Sequence, residues 1–388
     1  MQRTAHAVHA VNASSPALDR AAIERIVRSG RRLLVQGGMG INASDGISGK
    51  VAAHDGARLV GAGTISAVIK TPDQLRAEIA RARAEAPGGY VGVNLMAAIN
   101  KGDFEVLAKV AIEERVSFIV QGAGISREIV RWCREGGVPF AGIVSSGRLA
   151  AMYEKWGAEF VVAEGADAGG HIGDIDHPLP KLLAEVLAAT TLPVIAAGGV
   201  DASDVAALLD AGAAGVQLAT RFIASRDGDP HDAFKAMHLG KTADDVAIIT
   251  SCVKGMKARA VRNAFTDRLA RGEAVPPRSK RWWFGPEGYM GRKKACIECL
   301  AADLCKCRAS GFKESFCITD ALLEAAVHGD VERGLFYTGQ SLTRIPEREV
   351  GELPSVAELL ADLEARLGAD ATCATPVAAA DLSAGATA

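Results

Sequence analysis

Between Arg31 and Ser225, short apolar runs alternate with stretches whose apolar residues recur every three or four positions. The runs are LLVQ (33–36), ARLVG (57–61), YVGVNL (90–95), SFIVQ (117–121), FAGIV (140–144), EFVVAE (159–164), LPVIAA (192–197) and AGVQLA (214–219). Runs of this length bounded by turn residues predict strands buried on both faces. PDQLRAEIARARAEA, DFEVLAKVAIEER and SREIVRWCREGG, which lie between them, predict amphipathic helices. Buried strands joined by crossover helices form a parallel sheet. Eight such units in about 200 residues fit a closed TIM (β/α)8 barrel. An open doubly wound sheet is the rival, but GAGTIS (61–66) and GAGISR (122–127) both lack the last glycine of a G-x-G-x-x-G turn.

The alternation stops after Ser225. The expected organisation is an N-terminal segment (1–30), a barrel (31–228), a smaller and mostly helical second domain or cap (229–333) with a cysteine-rich segment (296–317), a return segment packing on the barrel (334–368) and a tail (369–388). DALLEAAVHGDVERG and SVAELLADLEARLG read as helices of the later regions.

With a formal charge of −2 on 388 residues, no global field draws in nucleic acid or an anionic membrane. No apolar run approaches the roughly 20 residues that span a bilayer, and no secretory core opens the chain. A cytoplasmic protein is expected, with its oligomeric state left open, a homo-oligomer included. Five of the eight cysteines fall between Cys296 and Cys317, which argues against a disulfide framework.

Barrel chemistry sits at the C-terminal ends of the strands. There the sequence gives Gly38 and Met39 after the first run, Asn94 in the third, Gln121 at the end of the fourth, Glu164 followed by Gly169, Gly170 and His171 after the sixth, Gly198 and Gly199 after the seventh, and Ala219 and Thr220 after the eighth. Glycines after strands seven and eight make a phosphate cradle, with the helix beginning near Asp201 aimed at the anion. Gln36, Asn94 and Gln121 suit hydrogen bonds to a flat heterocycle. The alternative for any single glycine is a tight turn. His171 stands among small residues, where an imidazole can reach a bound ligand and act as acid or base near neutral pH; the alternative is a surface histidine. Asp167, Asp174, Asp176 and His177 could join it around a metal, but the spacing matches no established ligand pattern.

QGGMG, GVNL, QGAG, AEGADAGGHIG, PVIAAGGV and GVQLATRFIAS, in this order, resemble the nitronate monooxygenase (2-nitropropane dioxygenase) family and the related FMN-dependent enoyl-(acyl carrier protein) reductases, over roughly residues 31 to 345. The resemblance implies FMN in the barrel mouth, its phosphate near Gly198, Gly199 and Thr220 and its ring near Gly38, Met39, Asn94 and Gln121. It implies that His171 is the catalytic residue, deprotonating a nitroalkane or holding a nitronate, with electrons passing through the flavin to dioxygen. In the reductases NAD(P)H supplies hydride for an enoyl thioester instead. Gly339 and Gln340 in FYTGQS resemble a late segment that returns to the barrel. Ala219 replaces the glycine usual in the strand-eight motif. A third and less favoured reading is a non-catalytic barrel that binds a phosphorylated ligand.

Cys296, Cys299, Cys307 and Cys317, with Cys305 as a substitute for Cys307, supply the thiolates for tetrahedral zinc or an iron–sulfur cluster. The alternative is a set of small buried thiols without metal. Arg278, Lys280, Arg281, Arg292, Lys293 and Lys294 surround Trp282-Trp283-Phe284. This patch suggests a docking face for a nicotinamide dinucleotide or an acyl carrier protein rather than nucleic acid; the alternative is a solvated loop with its aromatics packed inward.

Overall fold

In the computed structural model, residues 15–96, 101–122, 124–172, 177–250, 256–273, 275 and 316–373 are described. Eight parallel strands close into a barrel: β1 (Arg32–Gln36), β2 (Leu59–Ser66), β3 (Tyr90–Met96), β4 (Ile119–Gly122), β5 (Phe140–Val144), β6 (Phe160–Glu164), β8 (Val194–Ala197) and β9 (Gly215–Leu218). β9 returns to β1 through the register Leu33↔Gly215 to Gln36↔Leu218. Each of the eight predicted runs holds one of these strands. β2 extends further than its run, and Gly61 and Gly63 lie within the strand. There a Cβ would strike the carbonyls of Val51 and Ser48, so these two glycines admit a close helix and have no part in a ligand cradle.

Strand alternation divides the apolar residues into two sets. One set, which includes Leu34, Val161, Val194 and Val216, packs with apolar residues of the surrounding helices. The other, which includes Leu33, Val35, Phe118, Val120, Phe160 and Ile195, fills the barrel interior. The interior cluster also takes Leu18, Ala22, Ile23 and Ile26 from the N-terminal segment and α1 (Arg20–Arg28). Asp19 caps α1 by accepting a hydrogen bond from Ala22 N at 2.7 Å. α1 thus packs on the barrel's N-terminal end, leaving the opposite end for chemistry.

The intervening helices are α2 (Ser48–Ala52), α3 (Pro72–Glu85), α4 (Lys101–Glu113), α5 (Arg127–Gly136), α6 (Gly147–Trp156), α7 (Leu179–Ala189), α8 (Val205–Asp210) and α9 (Thr220–Ile223). α3 starts where the sequence says it should: Thr71 and Gln74 form a reciprocal capping box with Pro72 at the first helical position.

The described part of 229–333 is less helical than expected. It holds α10 (Asp232–Ala236), α11 (Ala264–Ala270) and α12 (Ile318–Ala326), but also β10 (Val246–Thr250) and β11 (Lys257–Val261). These two strands form a second, antiparallel sheet with β7 (Gly170–Ile172), in the order β10-β11-β7. Residues 256–270, within the region expected to be mostly helical, thus split into a strand and a short helix. α13 (Val356–Cys373) continues past the predicted boundary at Gly368. Cys296, Cys299, Cys305, Cys307 and the basic, aromatic segment lie outside the described residues. Cys317 sits at the start of α12, and among the described residues no group of three or more His, Cys, Asp or Glu could hold a metal ion.

Candidate active site at the C-terminal mouth of the barrel

One cavity opens at the C-terminal ends of the strands. Of the predicted site residues it gathers Gly38, Met39, Asn94, Glu164, Gly169 and Gly170 on its wall, together with His171, Gly198, Gly199, Ala219, Thr220 and Gly339. Gln121 is not among the lining residues. Val120 and Gly122 line the cavity, and with a period of two the residue between them faces the helices, where Tyr153 of α6 donates to its Oε1 at 3.3 Å. Gln36 is also engaged elsewhere. Its Oε1 accepts from Thr64 N and its Nε2 donates to Thr64 O, both at 3.2 Å, clamping β1 to β2. Gln340 contributes its backbone, donating N–H to Asp167 O at 2.9 Å.

His171 lies on β7 opposite Ala258 of β11, a placement that the glycines around it hid in the sequence. Its ring meets Tyr337 edge-on with centroids 5.6 Å apart, and His238 Nε2 lies 3.1 Å from the Tyr337 carbonyl. Burial drives the His171 imidazole down to a pKa of about 4, so it is neutral at physiological pH. Glu164, at the end of β6, is open to the cavity. Burial alone raises its carboxyl to a pKa of about 7, with no cation offsetting it. A neutral base and a carboxylic acid poised near neutrality therefore share one wall.

The loop between them is held from outside the barrel. Arg259 of β11, itself buried, donates from Nη1 to the carbonyls of Ala166 and Ala168, both at 2.6 Å. On the other side, Gly339 N donates to Thr220 Oγ1 at 2.9 Å. Gly169 has no room for a side chain, because a Cβ there would lie 2.5 Å from the Thr338 carbonyl carbon. Neither Arg259 nor Tyr337 was singled out from the sequence. The alternation of KARAV and the tyrosine beside FYTGQS's glycine were the available signals.

The cradle expected for a phosphate has the geometry that requires glycine. Gly198 and Gly199 have φ of +94° and +74°, and a Cβ on Gly199 would lie 2.5 Å from the Cβ of Asp167. At Gly38 a Cβ would lie 2.5 Å from the Asn94 Cβ. The helix start near Asp201 is differently arranged: the Asp201 carboxylate accepts from Arg221 Nε at 2.9 Å and Nη2 at 2.6 Å. An acidic side chain paired with Arg221 already stands at that terminus.

The profile of the nitronate monooxygenase family matches residues 29–365, from the end of α1 through most of α13. The chain belongs to this family. A Mycobacterium tuberculosis protein named (3aS,4S,5R,7aS)-5-hydroxy-7a-methyl-1-oxo-octahydro-1H-indene-4-carboxyl-CoA dehydrogenase is 32% identical over 228 residues, 56% of this chain and 62% of that protein. A probable nitronate monooxygenase of Staphylococcus aureus is 30% identical over 161 residues, 39% of this chain and 45% of that protein. The chain thus spans less than two thirds of these curated relatives. The structure of FabK from Thermotoga maritima superposes with a TM-score of 0.70 at 27% identity, covering 90% of this chain and 97% of that one. Both curated relatives are oxidoreductases by name. Within the family frame, His171, Glu164 and the glycine cradle are brought together by four segments far apart in the chain: the β6–β7 loop, the turns after β8 and β9, and the return segment.

Proposed function

We propose that this member of the nitronate monooxygenase family is an FMN-dependent oxidoreductase acting on a nitronate, a nitroalkane or a similar small anionic molecule, with dioxygen as terminal electron acceptor. The observation that carries this reading is a neutral His171 on the wall of a cavity that Gly198 and Gly199 also line. Gly198, Gly199, Ala219 and Thr220 would hold the FMN phosphate, and Gly38, Met39 and Asn94 would lie against its ring. Gly38, Gly198 and Gly199 present backbone rather than side chain to the cavity, which leaves room for a flat, phosphorylated ligand. FMN, when bound, supplies the two-electron acceptor.

The chain's own groups then divide the work. The neutral imidazole of His171 can take the proton from the carbon bearing the nitro group, and Tyr337 fixes the direction of its ring. Glu164 is protonated below a pH of about 7, so in that range it does not repel an anion in the cavity.

A second reading, an NAD(P)H-dependent reductase of an enoyl thioester, is favoured by the apolar residues of α12 on the cavity wall and by the CoA thioester in the name of the mycobacterial relative. Anaerobic mixing of the flavin-loaded protein separates the two. Bleaching of the flavin band by an alkyl nitronate, reversed by air, supports the oxidase chemistry. Bleaching by NADH or NADPH but not by nitronate transfers the assignment to the reductase.

A further inference from the structure

His171 and Tyr337 come from distant segments, and β11 sets them side by side. His171 stands opposite Ala258 and Tyr337 opposite Ala260, while the other edge of β11 is taken by β10. Residues two apart on a strand project to one face, so the two side chains leave on the same side and their rings meet, with centroids 5.6 Å apart. Val261 N donates to Phe336 O at 2.8 Å and Thr338 N donates to Arg259 O at 3.3 Å. In an antiparallel pair these two bonds flank Tyr337, so its own N–H and C=O point away from β11. On that far side stands His238, two residues beyond α10 and completely buried. Its Nε2 lies 3.1 Å from the Tyr337 carbonyl oxygen and its Nδ1 2.8 Å from that of Phe234, on which its ring packs with centroids 5.0 Å apart. Phe234 and Tyr337 both line the cavity. A carbonyl oxygen only accepts, so Nε2 must carry a proton to hold Tyr337. The neutral ring does so in its Nε2–H form, and an imidazolium would donate to both carbonyls. Burial, with Lys241 nearby, disfavours the charged form.

We propose that His238 is a positioning residue for His171: by donating Nε2–H to the Tyr337 carbonyl it fixes the Tyr337 ring against the imidazole and keeps that imidazole dry. Without this donor the Tyr337 segment loses an anchor, water reaches His171 and its proton affinity rises, because burial is what holds that affinity down. The inference rests on the proposed function only in taking His171 as the base.

The test is the protonation of His171 in the flavin-loaded full chain, read from the ring carbon and nitrogen NMR shifts of isotope-labelled histidines, with His171→Ala identifying the signal. In the wild type His171 stays neutral down to about pH 5. His238→Asn, whose amide nitrogen takes the place of Nδ1, should raise the proton affinity of His171 at least about tenfold. His238→Gln, whose amide nitrogen takes the place of Nε2, should leave it as in the wild type. In a Tyr337→Ala background His238→Asn should add nothing. Glu164 on the cavity wall, Asp167 in the loop before His171, and Lys257 and Arg259 of β11 are the same in all these proteins, so the shift follows burial. Should His238→Asn not fold, the wild-type nitrogen shifts decide: a proton on Nε2 of His238 supports the assignment, and a ring protonated on Nδ1 alone overturns it. It is equally overturned if the Asn and Gln variants act alike, or if His238→Asn still raises the affinity once Tyr337 is Ala. None of these readouts needs turnover. The expected shifts in a protein that oxidises no nitronate would uphold the role of His238 while removing the proposed function.

Discussion

Replacing Glu164 with glutamine keeps the shape of the side chain and removes its charge. In the folded protein burial raises this carboxyl from 4.5 to about 7. A tenfold change in proton affinity is worth about 1.4 kcal/mol, so ionising Glu164 in the folded state costs on the order of 3 kcal/mol more than in the unfolded chain. Below the unfolded pKa both states are protonated and the cost is absent. As pH rises toward 7 the unfolded chain loses its proton first, so stability falls; above 7 the whole cost is present. Glu164→Gln should therefore match the wild type near pH 4.5 and exceed it by about 3 kcal/mol above pH 7.

His171 acts in the opposite sense. Its folded pKa is lowered from 6.5 to about 4, so the unfolded chain binds the extra proton and stability falls as pH drops from 6.5 toward 4. The two slopes overlap and oppose each other, so each variant exposes the contribution of the other group. Urea denaturation of flavin-free protein at about pH 5 and about pH 8 measures this, because the midpoint and slope together give the free energy. Flavin must be absent because any ligand bound only to the folded state adds its own linkage. An identical Glu164→Gln effect at both pH values would refute the picture of a buried carboxyl without a cation.

The other expectations concern the site and its support. His171→Ala should retain FMN, seen as an unchanged flavin-to-protein ratio, while losing most turnover; turnover at the wild-type rate would remove His171 from the chemistry. Gly199→Ala should weaken FMN binding at least tenfold by flavin fluorescence titration, since it adds about 1 kcal/mol of left-handed strain and a Cβ 2.5 Å from that of Asp167. Arg259→Met removes two charge-assisted hydrogen bonds to the loop before His171, each worth about 1.5–3 kcal/mol; kcat should fall more than FMN affinity, and an unchanged kcat would mean the loop keeps its shape unaided. Ile23→Ala, at the far end of the barrel, should cost about 2–5 kcal/mol in denaturation while leaving KM unchanged.

The sequence by itself determined eight parallel strands under helices, because eight runs of apolar residues could satisfy their backbones and bury both faces only that way, and the pairing of β9 with β1 closes them into the barrel. It also determined the glycine positions at Gly198 and Gly199, where positive φ leaves little choice of residue. It did not determine which side chain points where: Gln121 lies one step out of phase with Val120 and Gly122, and a single residue along a strand exchanges cavity for helix layer. Nor did it reveal β7, whose three residues follow glycines and carry no apolar run of their own. That strand exists because β11, from Lys257 to Arg259, pairs with it across a long stretch of chain, and only this pairing sets His171 beside Tyr337, under the clamp of Arg259. Local patterning decides elements whose burial repeats along the chain, whereas the position of His171 depends on contacts between distant segments that come together only once the barrel has closed.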